Sequence, residues 1–223
     1  RWLIHGLLGL VSLLLAALSV PPERRRDRSD TPMARKPILM HDRLRPIFIA
    51  TFVLSFALNL FFFTYPLSWT EIGFDKAELW RVYLIIFLPS VVFVFPYMRR
   101  AEKEGRFHRP IMVGWLTATI GYAVYLFGAQ TDLLLYVSGA VFFFGYSIYQ
   151  PMLPAFLTQQ VPANGRGAAS GVYNFFGFIG SSLGGMLGGA LIQVSPSLPE
   201  LLGVALLIAW YFFGLPIPPE SNS

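Results

Sequence analysis

The chain has 223 residues, of which 55% are hydrophobic and only 13% are charged, with a formal net charge of +5 and a mean hydropathy of +0.56. This composition excludes an ordinary soluble domain and predicts a membrane protein. The chain has no cysteine, which excludes disulfides and thiolate metal sites.

Seven apolar runs follow one another along the chain, each close to the roughly 20 residues that a helix needs to cross a bilayer. They are residues 3–20, 47–67, 79–97, 111–130, 133–157, 167–194 and 201–216. Backbone amides find no water inside lipid, so each run is predicted to be a helix. The predicted fold class is an all-α polytopic membrane protein with seven transmembrane helices.

Positive charge collects in alternate loops. Residues 21–45 carry eight Lys or Arg and residues 98–110 carry five, whereas residues 68–78 carry one Lys against three acids. Because short cytoplasmic loops collect Lys and Arg, the N-terminus is predicted outside and the C-terminus in the cytoplasm. Topology and contact with anionic lipid headgroups explain the basic excess, and no basic and aromatic face indicates nucleic acid.

The first apolar run has an echo at the end of the chain. The segment "LLGLVSLLLAALSVPPERRR" begins at Leu7, and "LLGVALLIAWYFFGLPIPPESNS" begins at Leu201. Repeated halves are a known plan of transporters, so the first run is interpreted as the last helix of a missing first half. A secretory signal peptide is disfavoured because a strongly basic loop follows the run.

Three stretches resemble the Major Facilitator Superfamily. The stretch "MRRAEKEGRF" resembles the family's cytoplasmic loop signature, although Met98 replaces its first glycine. The stretch "PANGRGAASGVYNFFGFIGSSLGGMLGG" is similar to the loop and eleventh helix of proton-coupled drug efflux members, of the YajR-type bacterial subgroup. The stretch "VPPERRR" resembles the exit from the sixth helix.

The resemblance implies a twelve-helix fold of two halves. Residues 1–20 would be the last helix of the N-terminal half, 21–45 a basic cytoplasmic loop, 46–217 the C-terminal six-helix bundle and 218–223 a cytoplasmic tail. The implied partners are the lipid bilayer of the bacterial inner membrane, the missing N-terminal half, a small-molecule solute and protons. No cofactor and no metal are implied.

The implied function is secondary active transport, with proton-driven export of small lipophilic or drug-like solutes by alternating access, and not enzymatic catalysis. An uptake carrier for sugar or another metabolite is the first alternative. A seven-helix receptor is a weaker one, because residues 201–216 contain no Lys to form a retinal Schiff base. A membrane enzyme would need clustered carboxylates or His, which the sequence lacks outside its charged loops.

A loop between the third and fourth spans is the candidate conformational latch. Its residues are Arg99, Arg100, Glu102, Lys103, Gly105 and Arg106. Glu102 is able to cap a helix or pair with an Arg, and Gly105 permits a turn that a Cβ would obstruct. The resemblance implies that Glu102 and Arg106 hold the outward-open state. A solvated loop that only sets topology is the alternative.

Polar side chains in several spans predict a cavity. The predicted cavity residues are Thr51, Ser55, Asn59, Phe62, Phe63, Tyr146, Tyr149, Gln150 and Asn174. A polar side chain in a span is costly unless it is paired or faces water, so Asn59, Gln150 and Asn174 are expected to share one cavity. The aromatic residues suit a lipophilic solute. Hydrogen bonds between helices are the alternative explanation.

Small residues dominate one face of the sixth span. Helix packing is predicted at Gly177, Gly180, Gly184, Gly185 and Gly188. Small residues at four-residue spacing let a neighbouring backbone approach closely.

The resemblance also assigns helices to the cavity or to its outside. It places the second, third, fifth and sixth spans around the cavity and leaves Tyr122 and Trp210 facing lipid or its interface.

Pro151 and Pro154 are expected to bend or break the fifth span. The apolar runs contain no carboxylate at depth, so the coupling carboxylate is expected in the missing half.

Overall fold

The computed structural model describes Ile38 and residues 41–128 and 131–213. These residues form six α-helices and one short 3₁₀-helix, without a strand among them. In chain order they are α1 (Arg45–Glu71), the 3₁₀-helix (Lys76–Glu78), α2 (Leu79–Lys103), α3 (His108–Gly128), α4 (Asp132–Gln159), α5 (Arg166–Ile192) and α6 (Ser197–Phe213). Helices α1 to α5 are long and apolar enough to cross a membrane, and α6 is a shorter apolar helix.

The all-α fold class is confirmed for the described residues, and the helices α1 to α6 correspond to the second to seventh predicted spans. The first predicted span, most of the basic loop and the C-terminal tail lie outside the described residues. Short connections make successive helices antiparallel. The starts of α1, α3 and α5 therefore lie at one end, here called the basic end because it carries Arg99, Arg100, Arg106 and Arg166. The other is called the opposite end.

Near proline residues, the structure differs from expectation at the start of α6 and within α4. The apolar runs leave residues 195–200 between two predicted spans, but α6 begins at Ser197 and includes Glu200 in its first turn. Pro199 is compatible with this start, because a first-turn residue has no intrahelical acceptor for its N–H. Helix α4 runs unbroken through Pro151 and Pro154, so of the expected bend or break the break is absent, and the bend stays a prediction.

An aromatic core joins α1, α3 and α4. The Phe61 ring stacks on Phe142 with ring centroids 4.2 Å apart and on Tyr65 at 4.6 Å, and it meets Tyr122 edge-on at 5.4 Å. The Tyr65 hydroxyl donates a hydrogen bond of 2.7 Å to the Leu135 carbonyl. Ring packing and the hydrogen bond of Tyr65 fix these three helices to one another.

Tyr122 and Trp210 are buried, so the prediction that they face lipid is wrong. Helix α6 packs on α3, where Trp115 Nε1 donates a hydrogen bond of 3.1 Å to the Leu207 carbonyl. The Trp115 and Trp210 ring centroids lie 4.0 Å apart. Tyr122 packs against Gly203, whose missing side chain leaves space for the ring.

Candidate functional site

A cavity of about 490 Å³ lies between α1, α4 and α5, towards the basic end. Its lining consists mainly of hydroxyl, amide and aromatic groups. The lining residues are Thr51, Leu54, Ser55, Tyr146, Tyr149, Gln150, Pro154, Ser170, Tyr173, Asn174, Gly177, Phe178 and Ser181. Helix α2 contributes none of these described lining residues, although the third span was expected to line the cavity. We call this space the central cavity.

Six of the nine residues predicted to share a cavity line this one: Thr51, Ser55, Tyr146, Tyr149, Gln150 and Asn174. They come from three separate helices. The structure therefore brings Gln150 and Asn174 together, while their role in binding stays a prediction.

Three predicted residues lie elsewhere. Asn59 Nδ2 donates a hydrogen bond of 2.9 Å to the Ser55 carbonyl, so its own helix satisfies part of its polarity. The Phe62 ring packs against Phe143, with centroids 5.4 Å apart. The Phe63 side chain lies against α5 at Gly188, where an added Cβ would stand 3.4 Å from it.

Tyr173 is a lining residue that the sequence reasoning missed. Its hydroxyl lies beside Thr51, which joins α5 to α1 at the cavity wall. The helical spacing could have indicated it. Residue 173 is four positions before Gly177 and three after Ser170, so it lies on the same face of the sixth span as the small residues.

Tyr149 is the most informative residue of the central cavity. It is 1% exposed, and its hydroxyl has no hydrogen-bond partner among the described residues. Burying a hydroxyl without a partner costs on the order of 1–3 kcal/mol. The hydroxyl therefore keeps a donor and an acceptor that no described residue uses.

The cavity wall carries no formal charge among its described residues. Hydroxyls and amides supply donors and acceptors, and the tyrosine rings supply apolar surface. Such a wall is able to hold a neutral molecule that combines an aromatic or apolar body with a few polar atoms.

Three glycines bring α5 against α1 beside this cavity. A Cβ on Gly180 would meet the Phe52 carbonyl oxygen, and a Cβ on Gly184 would meet the Phe56 carbonyl oxygen. A Cβ on Gly188 would stand 3.3 Å from the Leu60 side chain. Close backbone packing at the predicted four-residue spacing is thus present in the structure.

The other two glycines predicted for packing behave differently. A Cβ on Gly177 would stand 3.6 Å from the hydroxyls of Thr51 and Ser55, an ordinary contact at the cavity wall. A Cβ on Gly185 would meet no atom of the described residues within 4 Å, so Gly185 does not pack on these helices, and its predicted packing role stays a prediction.

The candidate latch forms the C-terminal turn of α2. Gly105 has φ +64°, a left-handed conformation that favours glycine. The Arg106 N–H donates to the Ala101 carbonyl at 2.9 Å, and the Gly105 N–H to the Glu102 carbonyl at 3.2 Å. This is the Schellman pattern of helix termination.

Side chains of the latch make two further interactions. Arg106 pairs with Glu104 at 3.2 Å, and not with Glu102, in this conformation. The Arg99 guanidinium lies 4.8 Å from the centre of the Phe95 ring. The Glu102, Lys103 and Arg100 side chains are exposed at the basic end.

Comparison with known proteins agrees with this architecture. The family model of the Major Facilitator Superfamily matches residues 2–185 and, in a second match, residues 47–223. The chain is 29% identical over 173 residues to the inner membrane transport protein YajR of Escherichia coli strain K12. That alignment covers 77% of this chain but 38% of the relative. From its family match and its apolar helices, this chain belongs to the Major Facilitator Superfamily and is a multi-pass membrane protein.

Proposed function

We propose that this chain contributes one half of a secondary active transporter and that the central cavity binds its solute. The observation that carries the proposal is the convergence of polar side chains from three helices, among them Ser55, Gln150 and Asn174, on the wall of the 490 Å³ cavity. Tyr149 of the cavity wall adds a hydroxyl without a partner among the described residues, which a bound solute would satisfy. The name of the relative, an inner membrane transport protein, supports the same reading.

The proposed arrangement has two halves around the solute. Residues 1–20 end the first half, residues 21–45 form the loop between halves, residues 46–217 form the second six-helix bundle, and residues 218–223 are a tail. The basic end faces the cytoplasm of a bacterial inner membrane, since loops rich in Lys and Arg stay on that side. The aligned residues make up 38% of the relative's length, which supports the proposal of a further half.

The proposed solute is small and lipophilic, with few polar atoms, and it is exported in exchange for protons. The absence of charge among the described cavity residues supports a solute without a strong charge of its own. The tyrosine rings support an aromatic body. Because amides and hydroxyls also bind sugar hydroxyls, uptake of a sugar or similar metabolite is the second candidate.

The experiment is transport by the complete protein in liposomes under an imposed pH gradient, with a lipophilic aromatic dye and a radiolabelled hexose as probes. We expect accumulation of the dye against its concentration gradient. We expect Tyr149→Phe to slow dye transport about threefold to tenfold at low dye concentration, through loss of one hydrogen bond of about 0.5–1.5 kcal/mol. Tyr149→Phe should not lower the thermal stability of the empty protein, because it removes an unpaired buried hydroxyl.

The matched control is Tyr122→Phe at the same pH. Tyr122 also buries a hydroxyl without a partner among the described residues, but it is not part of the cavity wall. Its replacement should leave dye affinity unchanged. Equal effects of the two substitutions would contradict solute binding at Tyr149, and accumulation of hexose instead of dye would favour the second candidate.

We also propose that the loop at residues 99–106 is a conformational latch between the halves. The exposed Glu102 carboxylate is free of an ion pair with Arg106, which pairs with Glu104. Glu102 is therefore available to a basic side chain or helix end of the other half.

We expect Glu102→Gln in the complete protein to change the ratio of inward to outward states about fivefold or more. Loss of one charged contact worth about 1–3 kcal/mol has an effect of this size. Distances between spin labels on the two halves report this shift. Glu104→Gln is the control, since it removes an exposed local pair worth about 0–1 kcal/mol. A shift for Glu104→Gln alone would contradict the proposed latch.

A further inference from the structure

A second, smaller cavity lies at the opposite end, between α1, α3 and the start of α6. Its volume is about 200 Å³, and its polar lining includes Thr64, Ser68, Glu71 and Glu200. It shares no lining residue with the central cavity. We call it the second cavity.

Glu200 is the unusual residue of the second cavity. It lies in the first turn of α6 and precedes the apolar run that begins at Leu201, so it lies outside the predicted membrane span. Only 8% of the residue is exposed. Among the described residues, no Lys, Arg or His forms an ion pair with it. An ionised carboxylate without a cation is costly at such burial, whereas a protonated one is much less so.

Hydroxyl groups connect this carboxyl to α1. The Tyr125 hydroxyl lies beside the Glu200 carboxyl and 2.8 Å from Ser68 Oγ. Thr64 lies beside the same Tyr125 hydroxyl. A hydroxyl is able to donate to a carboxylate or accept from a carboxylic acid, so this chain of groups is compatible with both protonation states.

The groups that face Glu200 come from two neighbouring helices. Glu71 of α1 and the Tyr125 hydroxyl of α3 act on Glu200, Tyr122 of α3 lies within reach of its charge, and α5 contributes the apolar Ile192 to the cavity wall. Burial raises the pKa of Glu200 from 4.5 to about 7, the hydrogen bond from Tyr125 opposes this rise, and the charge of Glu71 adds to it. The N-terminal end of α6 also favours the ionised form.

We propose that Glu200 is a proton-binding site. It holds a proton on its carboxyl while the opposite end is closed around it, and it releases that proton to water when the second cavity opens. The O–H bond of the acid breaks, the carboxylate keeps the electron pair, and water accepts the proton. Hydration of the opened cavity then stabilises the charge that burial disfavours.

This site goes beyond the proposed transport function, because it assigns a proton to a residue of this chain whatever the solute. The apolar runs do lack a carboxylate, as the sequence indicates. Glu200 is not part of any apolar run, because it stands one residue before the last run. It becomes buried only when α6 packs on α1 and α3.

The test is modification of the complete protein by a hydrophobic carbodiimide, which reacts with protonated carboxyls, followed by peptide mass spectrometry. Labelling of Glu200 should fall about tenfold between about pH 6 and about pH 8. Glu78 is the control, because its exposed carboxylate pairs with Arg81 at 2.8 Å and should be labelled little in this range. Labelling of Glu200 as low as that of Glu78, or constant with pH, would overturn the proposal.

Two variants of neighbouring residues should shift the pH midpoint of Glu200 labelling in opposite directions. Tyr125→Phe removes a hydrogen bond that favours the ionised form, so the midpoint of Glu200 labelling should rise. Glu71→Gln removes a like charge, so the midpoint should fall. Unmoved midpoints in both variants would overturn the proposed surroundings, and protection by sodium at constant pH would identify a metal cation site instead of a proton site. None of these measurements depends on transport of a solute.

Discussion

Gly184→Ala is expected to destabilise the protein severely, whereas Gly185→Ala, one residue away, is expected to leave its stability unchanged or raise it. The new Cβ at position 184 would collide with the Phe56 carbonyl oxygen, a backbone atom that moves only if α1 moves. Overpacking of this kind costs about 1–3 kcal/mol or more. At position 185 the Cβ meets nothing within 4 Å, and alanine is a better helix former than glycine by about 1 kcal/mol.

Gly188→Ala completes the series with an intermediate effect. Its Cβ would meet the side chains of Leu60 and Phe63 at 3.3 and 3.4 Å, and side chains adjust more easily than a backbone oxygen. The measurement is the apparent melting temperature of the purified protein in detergent, with the folded yield as a second readout. Equal melting temperatures for the three variants would show that α5 does not pack on α1 through this glycine face.

The helices were the most predictable part of the fold. Apolar runs reveal where lipid surrounds a chain, so the second to seventh spans match α1 to α6. Their ends were less predictable, because local capping and tertiary packing decide them. Glu200 illustrates this, since charge assigned it to a loop and packing placed it inside α6.

The cavity was predictable in outline because its polar residues stand out against apolar spans. The error at Asn59 has a geometric cause. Four residues advance a helix by about 400°, so each four-residue step drifts about 40° around the axis. Asn59 lies two steps beyond Thr51 and is rotated by about 80° from it, which takes it off the cavity wall.

Contacts between distant helices were not predictable from one sequence. Tyr122 and Trp210 look like residues of a membrane interface, but the packing of α6 on α3 buries both. The unpartnered Tyr149 hydroxyl is likewise visible only once its surroundings are known. Both cases concern long-range packing, which leaves no periodic signal in the chain.

Cysteine replacements at Gln150 and Asn174 test the central claim, that the cavity between α1, α4 and α5 binds the solute. The chain has no cysteine of its own, so each replacement introduces a single reactive thiol into it. Both side chains line the cavity, so Gln150→Cys and Asn174→Cys should react with a small water-soluble thiol reagent. The transported dye should block this reaction almost completely at saturation, because it fills the same space.

Asn59→Cys is the internal control, since Asn59 lies on the same helix as Thr51 but is not part of the cavity wall. The measurement is the rate of thiol modification in the complete protein, with and without saturating dye. We predict strong protection at positions 150 and 174 and none at position 59. Modification at positions 150 and 174 that is unaffected by dye, in a protein that still transports it, would contradict solute binding in this cavity.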